Sequence, residues 1–321
     1  MSNCEVSVVM SVYNCADYLE RTLESVLSQE GCDLEFIVVD DGSTDASGQI
    51  LDDWALRDKR LRIIHQQNAG LTRSLIRGCE AARGEFIARQ DAGDISLPGR
   101  LKAQVAALRG EEALSFLSCV THFIGPAGEF LYESAGSGQA RSPTDIIDVR
   151  QRHGVLDGPS HHGSVMFRRD KYIEAGGYRQ QFYYGQDWDL WYRMGVTGMF
   201  MMLPSTLYQA RIGIGGISNN SKALQDVLAT LSLSALKIRA LGQSDKEVLD
   251  QADKIRPTGI RVATRGASAR DAYFLGECLR RNGDMPRARS FLWKSILYKP
   301  LNFKAWARLV QTLAIAEKKD Q

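Results

Sequence analysis

The segment VSVVMSV at residues 6–12 decides the fold of this chain, because it is short, apolar and rich in β-branched residues. Such a run predicts a strand that is buried on both faces, as in the parallel sheets of α/β proteins. Residues 17–29 follow, and their apolar side chains Leu19, Leu23 and Leu27 share one face of a helix. The chain therefore begins with a buried strand and a helix that covers it.

The same alternation continues through the first hundred residues. Further strands are predicted at residues 34–39, 61–64 and 85–88, with helices around residues 50–54 and at residues 70–82 and 99–108. This βαβαβαβ order predicts an α/β protein with a parallel sheet, in which ligands bind at the carboxyl ends of the strands.

The second half of the chain changes from mixed structure to helices. Two strands are predicted within residues 113–132 around a turn at residues 125–128, followed by a strand at 164–167, helices at 170–175 and 186–194, and strands at 200–203 and 207–212. The glycine-rich residues 213–220 predict a boundary. We expect a sheet domain at residues 1–218 and a helical region at residues 219–321, with helices at 269–281, 286–297 and 302–316.

Composition excludes several classes of protein. The chain has 321 residues with a net charge of +2, which gives no general affinity for nucleic acid. Its six cysteines are scattered without zinc-site spacing. It has neither a secretory signal nor an apolar run near the roughly 18 residues that a membrane helix needs. We therefore expect a cytoplasmic protein with reduced thiols.

Three acidic segments carry the candidate chemistry. Asp40 and Asp41 follow the second strand, Asp91 and Asp94 follow the fourth, and Asp187 lies in the aromatic segment QDWDLW at residues 186–191. Because the carboxyl ends of parallel strands meet at one edge of a sheet, these acids predict a site for a cation and a phosphorylated ligand. The alternative for the first two segments is a simple turn before a helix.

Four ordered motifs in the first hundred residues resemble family 2 glycosyltransferases. They are SVVMSVYN at 7–14, VVDDGSTD at 38–45, NAGL at 68–71 and GEFIARQD at 84–91. The segment at residues 186–191 resembles the later acidic motif of the family, so the resemblance extends to about residue 212. It implies a GT-A fold, Rossmann-like with a mostly parallel central sheet, and inverting transfer from a nucleotide-sugar donor with a divalent cation.

The resemblance also assigns roles to individual residues. It places Ser11 and Tyr13 against the nucleotide base, gives Asp40 or Asp41 a contact with the base or ribose, and brings the loop at Asn68 close to the donor. The full set of donor-binding residues that it implies is Ser11, Tyr13, Asp40, Asp41, Asn68, Gly70 and Asp91.

The general base implied by the resemblance is Asp187. One carboxylate must accept the proton of the acceptor hydroxyl as it attacks the anomeric carbon from the face opposite the leaving nucleotide. Burial among the neighbouring aromatic rings would raise the pKa of this carboxyl towards a useful value. Trp188 and Trp191 offer faces for stacking on sugars, and the alternative for both rings is core packing.

The metal-binding turn departs from the family pattern. The family has Asp-any-Asp, whereas this chain has Asp91-Ala92-Gly93-Asp94, with glycine where a metal-binding carboxylate is usual. We expect Asp91 and Asp94 to hold Mn²⁺ or Mg²⁺, because the donor diphosphate supplies further oxygens. The alternative is that both acids only shape a turn.

Adjacent His161 and His162 are candidate contacts of the acceptor or its sugar; one of the two is expected near the diphosphate or the acceptor, and the other is expected to be structural. Two neighbouring histidines cannot form a zinc site alone. Arg73, Arg77, Arg89 and Arg100 are candidate phosphate partners, with an ordinary surface position as the alternative for each.

The resemblance thus implies an inverting glycosyltransferase that uses a UDP- or GDP-linked donor and a saccharide or lipid-linked acceptor, in bacterial surface polysaccharide or lipopolysaccharide synthesis. The alternative is a catalytically silent sugar-nucleotide-binding or scaffolding protein with a helical partner-binding tail. The glycine at position 93 favours this alternative, and the Asp187 motif favours the enzyme.

The C-terminal tail is strongly basic. Residues 280–321 contain 10 Lys or Arg and 3 Asp or Glu, interleaved with aromatic residues. This pattern suits a peripheral contact with an anionic inner membrane, where lipid-linked acceptors are found. The alternative is a helical hairpin with its aromatic residues inside.

Overall fold

The computed structural model describes residues 4–134, 158–215, 222–256 and 264–317. Its strands are β1 (Val6–Val12), β2 (Leu34–Asp40), β3 (Leu61–His65), β4 (Phe86–Asp91), β5 (Ile95–Ser96), β6 (Leu114–Ile124), β7 (Phe130–Ser134), β8 (Met166–Arg168) and β9 (Met199–Arg211). Its helices are α1 (Ala16–Leu27), α2 (Ser47–Arg57), α3 (Leu71–Glu80), α4 (Arg100–Gly110), α5 (Arg169–Glu174), α6 (Gln186–Thr197), α7 (Lys222–Ala240), α8 (Lys246–Asp253), α9 (Arg265–Arg281), α10 (Met285–Tyr298) and α11 (Phe303–Glu317).

The strands form one sheet in the order β3-β2-β1-β4-β8-β6-β9-β5, with β7 paired to β6. The first four strands of that order are parallel, as the βα alternation predicts. β8 then runs antiparallel to both β4 and β6. β1 lies between β2 and β4, so its carboxyl end has polar turns on both sides.

Helices pack on both faces of the buried strand β1, which explains its nearly continuous apolar sequence. Val8 and Met10 belong to a core cluster with Leu19 and Leu23 of α1. Val9, which points the other way, belongs to a second cluster that includes residues of α3 and α6. Alternate residues of one strand therefore fill the two sides of a three-layer arrangement.

Two predictions about the later elements were wrong in detail. The two strands expected at 200–203 and 207–212 are one strand, β9, which continues through the exposed residue Pro204. The strand expected at 164–167 is shorter, because residues 162–164 form a 3₁₀ turn and β8 begins at Met166.

The chain divides into two compact units. The described part of the first unit comprises residues up to 121, residue 134, and residues 158–210 and 226–256; that of the second comprises 122–133, 211–215, 222–225 and 264–317. The boundary predicted at residue 218 lies outside the described residues and stays a prediction. Most of α7 and all of α8 belong to the first unit, where Leu228 and Ala252 pack on Phe182.

The second unit has its own small core. Leu131 of β7 packs with Leu275, Leu279 and Phe291 of the helices α9 and α10. The helical region predicted at the end of the sequence is therefore present as α9, α10 and α11. In the part of the chain that the structure describes, no helix is long and apolar enough to cross a membrane.

Replacing Gly78 with alanine is expected to lower the free energy of unfolding by about 1–3 kcal/mol. Gly78 lies in α3 against β1, and an added Cβ would stand 2.6 Å from Cγ1 of Val9. Gly110→Ala is the matched control, because Gly110 ends α4 and has no atom within 4 Å of an added Cβ. Urea unfolding followed by circular dichroism measures both. Equal midpoints would mean that α3 moves away from the sheet at little cost.

Candidate active site

The carboxyl ends of β1, β2 and β4 bring the predicted site residues to one edge of the sheet. In the parallel register Ser11 lies beside Asp91, and Val12 lies beside Asp40. Ser11 is half-buried and the ring of Tyr13 is 53% exposed, so this edge offers both a polar and an aromatic surface. The predicted grouping of these residues at strand ends follows directly from the parallel pairing.

Asp40 is buried and both of its oxygens have partners in the protein. Oδ1 accepts the backbone N–H of Ser43 at 3.0 Å, and Oδ2 lies 3.0 Å from Nδ1 of His65. Hydrogen bonds to Asp40 and Asp52 raise the pKa of His65, which favours the charged imidazolium beside these carboxylates. Asp40 therefore holds the turn between β2 and α2 in shape.

Asp41 organises the loop that the sequence placed near the donor. Its Oδ1 accepts Nε2 of Gln66 at 2.7 Å and the N–H of Ala69 at 2.8 Å, and its Oδ2 accepts the N–H of Gly70 at 2.9 Å. Asn68 between them is exposed. Gly70 has a φ of 87°, and a Cβ there would lie 3.1 Å from the ring of Tyr183. This close approach explains the glycine.

The metal turn and His161 come together at the end of β4. Ligand atoms of Asp91, Asp94 and His161 all lie within 4.8 Å of one another. Nδ1 of His161 is 3.8 Å from Oδ2 of Asp91 and 3.6 Å from Oδ2 of Asp94. Two carboxylates and an imidazole fit Mn²⁺ well, whereas Mg²⁺ prefers oxygen ligands alone.

His161 is prepared for such a role by its surroundings. Burial lowers its pKa, so the imidazole is neutral at physiological pH. Its Nδ1 accepts the N–H of Gly163 at 3.1 Å, which assigns the proton to Nε2; a cation bound at Nδ1 would take the lone pair that accepts this hydrogen bond. The sequence predicts one of the two histidines near the diphosphate or acceptor, but no local pattern indicates that His161 lies beside Asp91 and Asp94.

The geometry of Gly93 accounts for the departure from the family pattern. Its φ is 93°, a backbone conformation that residues other than glycine rarely adopt. Its N–H donates to Oγ1 of Thr22 at 3.1 Å. The next residue, Asp94, is buried and turns its carboxylate towards His161. The second carboxylate of the cluster is thus displaced by one residue.

The other oxygen of Asp91 belongs to a buried ion pair. Nη2 of the fully buried Arg89 donates to Oδ1 of Asp91 at 2.6 Å, and Nη1 donates to the carbonyl of Val9. Although burial opposes ionisation, the charges of Arg89 and other neighbouring groups lower the pKa of Asp91. Asp91 therefore stays a carboxylate, with Oδ2 on the side of His161.

Arg100 supports the same turn from below. It is fully buried, and its Nη2 donates to the carbonyls of Arg89 at 2.7 Å and Gly163 at 2.8 Å. Its guanidinium also lies over the ring of Tyr208, 4.8 Å from the centroid. The prediction that Arg89 and Arg100 are phosphate partners or surface residues was wrong, because both side chains are fully buried and hydrogen-bonded within the protein. Arg73 and Arg77 are exposed.

Tyr208 of β9 joins the metal turn to the rest of the sheet. Its hydroxyl donates to Oδ2 of Asp94 at 3.0 Å and accepts the N–H of Asp91 at 3.1 Å. An added Cβ at Gly163 would lie 2.1 Å from this hydroxyl. No local pattern identifies Tyr208, because it lies more than a hundred residues after the turn at Asp91 and Asp94.

His162 has a structural position, as expected for one of the two histidines. It is buried, its Nε2 lies 2.7 Å from the hydroxyl of Tyr178, and Nε of Arg89 approaches the same nitrogen at 3.4 Å. Burial and the charge of Arg89 lower the pKa of His162 to about 3. It is therefore a neutral hydrogen-bonding group in the core.

Asp187 occupies the first turn of α6. Burial raises its pKa to about 6, and the charge of Asp91 adds to this rise. The N–H of Trp188 donates to Oδ1 of Asp187 at 2.9 Å, which leaves Oδ2 to accept a proton. Asp189, two residues later, is instead buried in an ion pair with Arg193 at 2.6 Å. The two acids of this segment therefore have different environments.

The two tryptophans of the segment differ as well. Trp191 is 3% exposed and packs edge-on at 6.0 Å from the ring of His162, which favours the core-packing alternative for this residue. Trp188 is half-buried and contacts Trp191 at 5.2 Å. Of these two rings, that of Trp188 is the more accessible to a sugar-sized ligand.

Comparisons with known proteins agree with this architecture. The model of the family described as "Glycosyl transferase family 2" matches residues 7–176. The chain is 33% identical over 218 residues to the putative glycosyltransferase EpsE of Bacillus subtilis, covering 65% of this chain and 74% of that protein. It is 42% identical over 148 residues to the glycosyltransferase GlyG of Streptococcus pneumoniae, covering 46% of this chain and 49% of that one.

Among solved structures, S. aureus TarS 1–349 in complex with UDP aligns with a TM-score of 0.55 at 16% identity, covering 99% of this chain and 92% of that chain. The same TarS segment in complex with UDP-GlcNAc aligns with a TM-score of 0.53 at 15% identity, covering 96% and 89%. These likenesses support the fold, and the predicted GT-A-like α/β architecture with a helical C-terminal region is confirmed. Because the family model spans more than half of the sequence, the chain belongs to glycosyl transferase family 2 and is a glycosyltransferase.

Proposed function

We propose that this chain is an inverting glycosyltransferase that moves a sugar from a nucleoside diphosphate donor to a hydroxyl of its acceptor. One observation carries the proposal. A carboxylate with a pKa raised to about 6, Asp187, lies within electrostatic reach of Asp91 in the cluster Asp91, Asp94 and His161. A base and a cation site on either side of the reacting bond are what inverting transfer needs.

In this mechanism Oδ2 of Asp187 accepts the proton of the acceptor hydroxyl, while the N–H of Trp188 holds Oδ1 in place. The hydroxyl oxygen forms the new bond to the anomeric carbon as the bond to the diphosphate oxygen breaks, so the configuration inverts. A divalent cation bound at Asp91, Asp94 and His161 would supply positive charge for the leaving nucleoside diphosphate. Arg89 keeps Asp91 ionised and oriented for that role.

The proposed cofactor is Mn²⁺ or Mg²⁺, with Mn²⁺ favoured by the imidazole of His161. The proposed donor is UDP-linked, in line with the nucleotides bound to the TarS structures, and a GDP-linked sugar is the second candidate. Both oxygens of Asp40 and Oδ2 of Asp41 accept one hydrogen bond each and can accept a second, so both residues remain proposed contacts of the base or ribose. The exposed ring of Tyr13 is the proposed stacking surface for the base.

The proposed acceptor is a saccharide or a lipid-linked saccharide, contacted by Trp188 rather than by the buried Trp191 and His162. Surface polysaccharide or lipopolysaccharide synthesis is the proposed setting. The second candidate function, a catalytically silent sugar-nucleotide-binding protein, is favoured only by Gly93. Asp94 offers a carboxylate in the same cluster, which weakens that argument.

Asp187→Asn is expected to lower the rate of nucleotide release from UDP-linked sugars by about 10²–10⁴-fold in the presence of acceptor. The amide cannot accept the proton, yet it keeps the size of the side chain, so UDP affinity should change less than about twofold. Asp250→Asn, an exposed acid on α8, is the control and should match the wild type. Turnover of the Asp187 variant at the wild-type rate would remove this residue as the base.

The acidic limb of the kcat/KM profile is expected near pH 6 or somewhat below it. Asp187 must be ionised to act as a base, and burial raises its pKa to about 6, so the rate falls tenfold per pH unit below that value. A cation at Asp91 offsets part of the rise. A limb above pH 7, or an unchanged limb in the residual activity of Asp187→Asn, would contradict the assignment.

Calorimetry of UDP binding is expected to show a strong requirement for Mn²⁺, with little binding in EDTA. His161→Gln should lower the affinity for Mn²⁺, because it removes one ligand. The Mn²⁺ concentration needed for half-maximal UDP binding should rise by about 10–100-fold. His122→Gln changes a histidine outside this cluster and is the control. Equal UDP affinity in EDTA and in Mn²⁺ would indicate a metal-free donor site.

A further inference from the structure

The helices α10 and α11, with the turn between them, leave large apolar side chains in solvent. Eight of them are between 38% and 76% exposed: Trp293, Leu297, Tyr298, Leu301, Phe303, Trp306, Val310 and Leu313. We call this set the terminal apolar face. Phe291 of the same hairpin is buried. Helix packing therefore describes Phe291, and the exposed aromatic residues are the ones available for contact with another surface.

The members of the terminal apolar face are arranged for contact with a single surface. Phe303, Trp306, Val310 and Leu313 recur at intervals of three, four and three residues, so they share one side of α11. The ring of Trp306 meets that of Trp293 edge-on at 5.9 Å, which joins this stripe to α10. Contiguous exposed apolar surface of this kind marks an interaction site in soluble proteins.

The charge of the same segment is of one sign. Residues 285–316 contain six Lys or Arg and no Asp or Glu. Two of the arginines are paired with acids before the segment, Arg287 with Asp284 and Arg308 with Glu277. The face therefore has positive charge that its own segment cannot neutralise.

Of the other four cations of the segment, Arg289 donates to the carbonyl of Thr312 and three are lysines. Lys294, Lys299 and Lys304 are exposed, and in the described residues none of them has a carboxylate within ion-pair distance. Each directly follows an exposed aromatic residue in the sequence: Trp293, Tyr298 and Phe303. Lysine beside an aromatic ring is the pairing that places a ring among lipid headgroups and an ammonium at a phosphate.

We propose that the terminal apolar face binds an anionic lipid surface, with Trp293, Phe303 and Trp306 among the headgroups and the three lysines at lipid phosphates. A second copy of this chain is the less suitable occupant. Two such faces would bring lysine against lysine, and residues 285–316 offer no carboxylate to pair with them. An anionic bilayer matches both the apolar side chains and the charge.

The test uses the full chain with vesicles of phosphatidylglycerol and phosphatidylcholine in equal parts, and with vesicles of phosphatidylcholine alone. Flotation should recover the protein with the anionic vesicles and not with the neutral ones, and binding should weaken as salt increases. Tryptophan emission should shift to shorter wavelength on binding, because Trp293 and Trp306 leave water. Absence of binding to anionic vesicles at low salt would overturn the proposal.

The decisive variant combines Lys294→Gln, Lys299→Gln and Lys304→Gln, three exposed side chains, of which Lys294 contacts a buried ring, that of Phe291, with 4.9 Å between Nζ and the ring centroid. Each lysine contributes about fivefold to binding at an anionic surface, so the triple variant should partition about 100-fold more weakly. The control replaces three exposed lysines of the first unit, Lys59, Lys102 and Lys246, with glutamine. Equal loss of binding in both triple variants would overturn the assignment to this face.

A further variant, Phe303→Ser with Val310→Ser, separates insertion from simple charge attraction. It should abolish the emission shift while UDP affinity stays unchanged, because both side chains are exposed in the second unit. Sedimentation of the wild type tests the other occupant. A dimer that dissociates on these two substitutions would assign the terminal apolar face to self-association and refute the lipid proposal.

Discussion

The ion pair between the buried Arg89 and the half-buried Asp91 is the interaction on which the candidate site depends. The guanidinium of Arg89, a residue of β4, also forms hydrogen bonds with the carbonyl of Val9 in β1 and the ring of His162 in the 3₁₀ turn. Removing the carboxylate of Asp91 would leave the buried guanidinium without its counter-charge, at a cost of about 3–5 kcal/mol. The pair therefore fixes the carboxylate of Asp91 and the strands around it in a single arrangement.

The site is a consequence of how β8 joins the sheet. β8 runs antiparallel to β4, so the residues just before β8 lie beside the residues just after β4. That crossing places His161 next to Asp91 and Asp94, and the carbonyl of Gly163 within reach of Arg100. A parallel β8 would have carried the histidine to the opposite edge of the sheet. The cluster is thus a product of topology as much as of the acidic turn.

Local patterns were sufficient for the strands and for the acids, and insufficient for everything that depends on long-range pairing. The apolar runs of β1 to β4 and the acids after them could be predicted because each lies within about ten residues of its own signal. The position of His161 and the burial of Arg89 could not, because they depend on β8. Nor could the roles of Asp41 and Tyr208, whose hydrogen-bond partners lie 25 or more residues away.

The charges around Asp91 and Asp94 favour joint binding of the proposed cation and the proposed donor over binding of the cation alone. The guanidinium groups of Arg89 and Arg100 already balance the formal charges of Asp91 and Asp94, and the imidazole of His161 is neutral. A divalent cation alone therefore meets little net negative charge. A nucleoside diphosphate brings both negative charge and the oxygens that complete the coordination shell. By thermodynamic linkage, if the cation raises the affinity of the site for the donor by some factor, the donor raises the affinity for the cation by the same factor. The arginines that hold the turn in shape thus also make a metal-loaded, donor-free site unfavourable.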